Sequence, residues 1–420
     1  MSPGRTRDRP EGAASLVDAE WVVEVGPVAH GGHCVARHEG QVIFVRHALP
    51  GERVRVRVTE GRVGDRFVRG DAIEVLEASP HRVPAPCPYA VPGGCGGCDF
   101  QHVELGHQRE LKAAVVREQL QRLAGLDLPV EVQTVPGDRA GLRWRTRVEF
   151  AVDAHGRAGL RPHRSRTVIP LEDCLISTEA VIASGVLDTV WEGVSGVDVI
   201  DAAHPDEPVL VPLTGAKGTE GAGGLVGELV RDGDWEAEYV VAARGFWQVH
   251  PGAASTFLSR VSALLDPQPG DRVLDLYAGS GLFTRRLGEL VLPDGFVLGV
   301  EGDATAVENG IRNTEDLENV EWRANRVDRE VRSLASQGVT ADLVVLDPPR
   351  TGAGRDVIET VVALGPRRMV YVACDPAALA RDLRTASDQG YAVVALEAYD
   401  AFPMTHHVEC IAVLEPVDRA

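Results

Sequence analysis

The sequence predicts a multidomain chain: a small OB-like β-barrel at the N-terminus, a central α+β domain, and a C-terminal α/β domain of Rossmann-like type. Three observations carry this. Short alternating strand candidates separated by turn signals fill residues 19–79. A Pro/Gly/Cys loop, a long helix and an alternating hairpin lie between 80 and 240. From about 241, apolar runs alternate with helical stretches, the pattern of a mostly parallel sheet covered on both faces.

The 420 residues are 44% hydrophobic and 25% charged, enough for a real core in two or three domains. No apolar stretch reaches membrane-spanning length, so no membrane partner is expected. The polar start, "MSPGRTRDRPEGAAS", lacks the apolar core of a secretion signal, and residues 1–18 read as a disordered tail. A cytoplasmic protein, monomeric by default, is the expectation. The net charge of −19 argues against a protein that simply coats nucleic acid. The charge is uneven, however. Asp188–Glu238 holds twelve acids and two bases, whereas Arg139–Arg166 holds eight arginines, two acids and two histidines. A local basic face can bind phosphate on an acidic protein.

In the barrel segment, "WVVEVGPVA", "QVIFVR", "RVRVRVTE" and "DAIEVLEA" read as strands. Arg53, Arg55 and Arg57 alternate with Val54, Val56 and Val58, giving one basic and one apolar face. That face suits a nucleic-acid module or an edge kept soluble by charge. Residues 80–102 form the Pro/Gly/Cys loop, and 105–125 a helix. "LRWRTRVEFAVD" then alternates, with Arg143, Arg145, Arg147 and Glu149 opposite Trp144, Thr146, Val148 and Phe150. "HGRAG" turns and "LRPHRSRTVIP" returns, so a half-buried hairpin with an arginine face is expected. Residues 180–240 hold weaker strands and a Gly-rich loop.

Four constellations in 241–420 carry chemistry. "VLDLYAGSGLFTRRL" places Asp275 at a strand end, then Gly279 and Gly281 in a turn before a helix. Open α/β sheets bind nucleotides at such a turn. Glu301 closes the next strand, where an acid can hold ribose hydroxyls. The turn lacks the third glycine of a dinucleotide fingerprint, which favours S-adenosylmethionine and leaves a dinucleotide open. "VVLDPPR" puts Asp347 at a strand end before two prolines. In "YVACDPAALARD", Cys374 ends a further strand, where the helix beginning near Pro376 and Arg350 could lower its pKa. In "FPMTHHVECIAVL", Glu409 lies inside an apolar run, where burial would raise its pKa toward that of a general base. Separately, Cys87, Cys95 and Cys98 are spaced C-x7-C-x2-C and Cys174 lies further on. Four thiolates suit a [4Fe–4S] cluster or a zinc site equally on spacing alone.

Taken together these residues resemble the RNA uracil-5 methyltransferases, which are class I, S-adenosylmethionine-dependent and carry an N-terminal TRAM domain. The resemblance covers about 20–415 and rests on the D-P-P-R loop, the Cys-Asp-Pro strand end, the terminal T-x-H-x-E and "FWQVHPGAAS". It implies that 19–79 is the TRAM barrel, 80–240 a central domain with the cysteine loop, and 241–420 the methyltransferase domain. It implies that Gln248, Tyr277, Glu301, Asn325 and Asp347 line the S-adenosylmethionine site, that Cys374 is the nucleophile and that Glu409 is the base. It implies that Cys87, Cys95, Cys98 and Cys174 hold a [4Fe–4S] cluster, in a loop two residues longer than usual. His250 and Leu282 stand where the family often has asparagine. The partner implied is structured RNA, with 23S rRNA favoured over tRNA. The competing classes are an RNA cytosine-5 methyltransferase, disfavoured by Arg350 after Pro349, and an inactive RNA-binding iron–sulfur protein.

Overall fold

The computed structural model describes residues 13–214 and 223–417. Residues 1–12 of the expected disordered tail, and most of the Gly-rich loop around Lys217, fall outside the described residues. The expectation is corrected for the rest of the tail: Leu16 N donates to Gly61 O at 3.0 Å, Asp18 N donates to Val58 O at 2.9 Å and Ser15 bridges Arg62, tying 13–18 to the barrel. Two compact units form. The first comprises Met1–Val115, Arg161–Thr167 and Pro403–His406, and the second Val116–Leu160, Val168–Phe402 and His407–Ala420.

The first unit contains a closed barrel of β1 (Glu20–Val28), β2 (Cys34–His38), β3 (Gln41–Arg46), β4 (Arg53–Glu60) and β5 (Phe67–Glu77), in the order β1-β2-β3-β5-β4. The alternation dictates the wall. Val54, Val56 and Val58 are fully buried inside it with Ile43 and Val45, and the intervening arginines face out. β2 is not among the strand candidates of the sequence, because five residues between two turns give too short a pattern. The arginine stripe of β4 is matched by acids: Arg53 bonds Glu77 at 3.2 Å, Arg55 bonds Glu74 at 2.8 Å and Arg57 bonds Glu20 at 2.8 Å. Closure leaves no sheet edge to protect, so these pairs close the β4 face electrostatically. Beneath the barrel Glu52 is fully buried and accepts from Arg82 Nε at 2.5 Å, Leu49 N at 2.8 Å and Ser79 N at 3.1 Å.

The helix α1 (Leu105–Gln119) follows, running into a π-helical turn, Leu120–Ala124, capped by Gly125 in the left-handed region. The expected helix over 105–125 is therefore present.

After the end of α1 and its π-helical turn the second unit continues with β6 (Val132–Thr134), β7 (Arg147–Val152), β8 (Ala158–Leu160) and β9 (Ile169–Pro170), then α2 (Glu179–Ala183), β10 (Gly196–Ile200) and β11 (Val209–Leu213). Strands β7 to β11 without α2 form one antiparallel sheet, and β12 (Leu225–Asp232) pairs with β13 (Trp235–Ala242). The hairpin is shorter than its alternation predicts. Trp144, Val148 and Phe150 are buried, but the strand begins only at Arg147 and Arg143 has φ 56. The arginines are largely spent on the fold. Arg143 forks onto Asp173 at 2.7 and 2.9 Å, and the nearly buried Arg147 bonds Glu228 at 2.6 Å. An open arginine face, expected from the alternation, is not what forms, because acids distant in sequence reach these guanidinium groups.

The remainder is α3 (Ala253–Leu265), β14 (Arg272–Leu276), α4 (Leu282–Leu290), β15 (Phe296–Glu301), α5 (Ala304–Asn313), β16 (Val320–Ala324), α6 (Val327–Ser336), β17 (Leu343–Leu346), α7 (Arg355–Ala363), β18 (Arg368–Ala373), α8 (Pro376–Asp388), β19 (Tyr391–Asp400) and β20 (Glu409–Pro416). Eight strands align as β16-β15-β14-β17-β18-β20-β19-β6. The first five are mutually parallel, and β20 runs antiparallel to β18. Helix α3 buries Phe257, Leu258, Val261 and Leu265, at helical spacing, in one core with Val273, Leu343, Val345, Val370 and Val372. No helix among the described residues is long and apolar enough to cross a membrane.

Glu52→Ala strands Arg82 and two backbone N–H groups. It is expected to lower unfolding free energy by about 3 kcal/mol in a urea titration. A change within experimental error would show that the pair carries no net stability.

Candidate functional site

A parallel sheet delivers every strand's carboxyl end to one rim, and the sequence places its candidate functional side chains there. In sheet order the rim carries Asn325 after β16, Glu301 ending β15, Tyr277 after β14, Asp347 after β17 and Cys374 after β18. Strand β20 begins at this rim instead of ending there. Its register pairs Cys410 with Ala373, so Glu409 stands opposite Cys374 one step further out. Six of the seven proposed catalytic and cofactor residues thus share one rim. Gln248 is the exception, half-buried on the segment leading into α3.

The candidate cofactor end is built by backbone geometry. Tyr277 holds φ 63, uncommon for a residue with a side chain, and its N–H donates to Val300 O at 2.9 Å. The two glycines have different jobs. A Cβ on Gly281 would come within 3.0 Å of Trp322, so this glycine serves packing, whereas at Gly279, φ 54, it would meet open space. Gly279 is the position that leaves room for a ligand. Glu301 ties the neighbouring loops together: Oε2 accepts from Gly279 N at 3.0 Å, and Oε1 from Gly302 N at 2.6 Å and Asp303 N at 2.8 Å. Oε2 retains capacity to accept a further bond from a ribose hydroxyl. Asn325 takes its place through its N–H to Glu301 O at 2.9 Å and its amide bond to Glu330 at 2.9 Å.

Asp275, one turn inside the rim, is fully buried. Thr284 Oγ1 donates to its Oδ2 at 2.5 Å, while Oδ1 has no partner among the described residues. Burial raises its pKa to about 7, and the Glu301 charge adds to this. Burial, then Asp275 and Glu301, likewise raise Asp347 to about 7. Glu409 is buried and lies well above the ordinary carboxylate range through burial and then the Asp347 charge, with Arg350 opposing. A rim with this many carboxyl groups suits a cationic ligand such as a sulfonium.

Cys374 is half-buried, and its environment does the opposite of what the sequence suggests. Burial, then Glu409 and Asp347, push the thiol up to about 12, and Arg350 is outweighed. The α8 N-terminus is occupied too, because Asp375 accepts from Ala378 N at 2.8 Å. The free site therefore holds a thiol, not a thiolate.

Asp382 is a residue the sequence reading missed. Buried on α8, it accepts from Tyr371 OH at 2.6 Å and Ala353 N at 2.8 Å, fastening the loop after Asp-Pro-Pro-Arg to the helix after Cys374. The available signal was an acid on the apolar face of α8, beside Leu379, Leu383 and Ala386. His250 is also buried. It stacks on Trp144 with ring centroids 6.0 Å apart and accepts from Gly252 N at 3.2 Å, so the substitution for asparagine serves the segment carrying Gln248. Leu282 packs in the core.

Cys87, Cys95 and Cys98 lie in the first unit and Cys174 in the second. Gly97 N and the buried Gln101 amide donate to the sulfurs of Cys95 and Cys98, each at 3.4 Å. Such donors suit thiolates. Among the described residues no group of three or more His, Cys, Asp or Glu is gathered to hold a single metal ion.

Comparison with known proteins identifies the family and the fold. Residues 225–417 match the model of the tRNA (uracil-5-)-methyltransferase family and residues 17–73 that of the TRAM domain. An uncharacterized RNA methyltransferase of Streptomyces avermitilis is 48% identical over 95% of this chain and 99% of its own length. One from Bifidobacterium longum is 36% identical over 98% and 99%. Among solved structures, the tRNA (uracil-54, C5)-methyltransferase of Pyrococcus abyssi, in complex with S-adenosyl-L-homocysteine, aligns with TM-score 0.68 at 22% identity. It covers 94% of this chain and 100% of its own, and shows the shared fold.

Below pH 7 Asp275 and Asp347 hold protons; above it they are anions. Affinity for S-adenosylmethionine, measured by calorimetry, is expected to rise as pH climbs through about 7, and affinity for neutral-sulfur S-adenosylhomocysteine to rise less. Equal slopes for the two ligands would mean that the carboxyl groups do not sense the sulfur charge.

Proposed function

The chain belongs to the RNA uracil-5 methyltransferase family, an S-adenosylmethionine-dependent RNA methyltransferase with a TRAM barrel, and from that premise we propose how its site works and on what. The reaction is transfer of a methyl group to C5 of one uridine in structured RNA, through covalent addition of Cys374 at C6. The observation that carries it is the cross-strand placement of Cys374 opposite Glu409, on the rim shared with the cofactor residues.

Uracil C5 is a poor nucleophile. Addition of the Cys374 sulfur, as thiolate, across the C5–C6 bond leaves an enolate whose C5 takes the methyl group, with S-adenosylhomocysteine as the leaving product. C5 then carries both a methyl group and a proton. A carboxylate must remove that proton before the carbon–sulfur bond breaks and the thiolate leaves. Glu409, opposite Cys374, is the proposed base, and its burial strengthens it. Because the free site disfavours the thiolate, the cationic cofactor supplies charge that favours it. Gln248, Tyr277, Glu301, Asn325 and Asp347 are the proposed cofactor contacts. The target base must leave its stack, which costs a few kcal/mol.

The proposed substrate is 23S rRNA ahead of tRNA, on the combination of a TRAM barrel with a four-cysteine set. The family model and the Pyrococcus protein carry tRNA in their names and favour the second reading. Cys87, Cys95, Cys98 and Cys174 are the proposed [4Fe–4S] ligands. The support is their donor chemistry and the two N–H bonds to sulfur. The cluster's proposed work is structural, since the methyl transfer above uses no electron.

Protein prepared without oxygen and given methyl-labelled S-adenosylmethionine is expected to place label in 5-methyluridine of a 23S rRNA transcript, read by nucleoside mass spectrometry. Label in a tRNA transcript alone would move the substrate, and label in 5-methylcytidine would overturn the uracil assignment. Cys374→Ala is expected to abolish labelling. Glu409→Gln is expected to lower kcat by about 10²–10⁴ and to accumulate a protein–RNA adduct on denaturing gels; a wild-type rate would remove Glu409 as base. Anaerobic protein is expected to carry about four iron atoms per chain, and Cys174→Ser to lose most of them. Iron content unchanged by Cys174→Ser would remove that ligand.

A further inference from the structure

We infer that Asp382 is a positioning residue for the methyl transfer: it holds the Asp-Pro-Pro-Arg loop in the place from which Asp347 and Arg350 act on Cys374. This rests on the RNA-methylation reading above and adds to it a group that sets the nucleophile's surroundings from outside the site.

Two loops leave the rim side by side. Strands β17 and β18 are parallel neighbours, and their ladder ends with Leu346 beside Tyr371. The chain leaves β17 through Asp347 and Arg350 and enters α7 at Arg355; it leaves β18 through Cys374 and enters α8 at Pro376. Past the ladder, the loops need another tie.

Asp382, in the middle of α8, supplies it. The residue is 4% exposed. Its Oδ2 accepts from Tyr371 OH at 2.6 Å, from Ala353 N at 2.8 Å and from Gly354 N at 3.2 Å, and its Oδ1 accepts from Gly354 N at 3.2 Å. Ala353 N also donates to Tyr371 OH at 3.1 Å. Tyr371 stands three residues before Cys374 on the same strand. One carboxyl group therefore gathers the far end of the Pro-Pro loop, the strand that carries the nucleophile and the helix that follows it. The loop is shaped to receive it. Gly352 has φ 85, and a Cβ there would lie 2.6 Å from Asp382 Oδ2 and 3.2 Å from the Ala378 Cβ. Gly352 N donates to Pro349 O at 2.8 Å, directly after two prolines whose rings fix φ. A shift at 352–354 thus reaches Arg350 through a short, stiff segment.

What the loop carries matters at the thiol. Beyond burial and, at Cys374, the Glu409 charge, Asp347 raises and Arg350 lowers the pKa of both Cys374 and Glu409. Such interactions vary steeply with distance where water is excluded, so the balance depends on where the loop is held. Packing alone does not account for Asp382. It shares its helix face with Leu379, Leu383 and Ala386, where an apolar side chain would be cheaper to bury. What only an acceptor provides there is the hold on two N–H groups and a hydroxyl.

The test uses full-length protein prepared without oxygen. Asp382→Leu keeps the branched shape and removes both acceptors. Its kcat for RNA methylation is expected to fall roughly 10- to 100-fold, with KM for S-adenosylmethionine little changed. Asp382→Asn, which keeps one oxygen for the Oδ2 bonds, is expected to recover most of the rate. Tyr371→Phe removes one donor and is expected to lose less than Asp382→Leu. A second readout needs neither RNA nor cofactor. With iodoacetamide and peptide mass spectrometry, Cys374 is expected to be alkylated several-fold faster in Asp382→Leu than in wild type, because a loosened loop uncovers it. The buried Cys410 and Cys34 are expected to keep their wild-type rates. Wild-type kcat and wild-type Cys374 labelling in both Asp382→Leu and Tyr371→Phe overturn the proposal. Equal acceleration at Cys374, Cys410 and Cys34 in both variants overturns it in favour of general instability. Wild-type protein that leaves no 5-methyluridine would sink the methylation reading, while the labelling arm still decides whether Asp382 holds the loop at Cys374.

Discussion

The rest of the second unit depends on one constraint: parallel strands joined by helices must all end on the same rim. Five strands obey it, and it collects Asn325, Glu301, Tyr277, Asp347 and Cys374 from positions spread over nearly a hundred residues. The antiparallel β20 breaks the rule usefully. Because it starts where its neighbour ends, its first residue, Glu409, arrives opposite Cys374. A parallel strand in that place would have delivered its last residue instead. The reversal is thus what brings the proposed base opposite the proposed nucleophile.

That gathering has an electrostatic consequence. Asp275, Asp347 and Glu409 are crowded into a region that disfavours charge, and their pKa values rise accordingly. The same surroundings hold the Cys374 thiol protonated. A thiol held protonated is protected from oxidation and stray addition. The raised carboxyl groups and the protonated thiol thus share one physical cause, burial beside other carboxyl groups.

The barrel follows a different logic. Alternation fixes which residues face out but says nothing of what meets them there. On β4 the arginines meet glutamates and their charge is spent within the wall. On β3 and β5 the outward positions include Phe44 and Phe67, and Phe67 is 40% exposed. Counting arginines alone therefore overstates the unpaired positive charge. The same holds in the second unit, where Arg143 and Arg147 are absorbed by Asp173 and Glu228.

Local pattern determined much of this protein. The alternating valines of β4, the apolar runs ending in Asp275, Asp347 and Cys374, and the glycine turn at 279–281 are all short-range signals, and each names an element and its end. They sufficed for the fold class and for the residues of the rim, because strand ends are where the sheet must present them. What the tertiary structure decided are the partnerships between distant residues. Gly281 proved to be a packing residue because Trp322 lies against it, and Asp382 a loop anchor because Tyr371 and Ala353 reach it. The pKa of Cys374 rose where helix and arginine suggested a fall, because burial and two carboxyl groups outweigh them. Desolvation and charge are sums over everything nearby in space, and a sequence orders residues only along the chain.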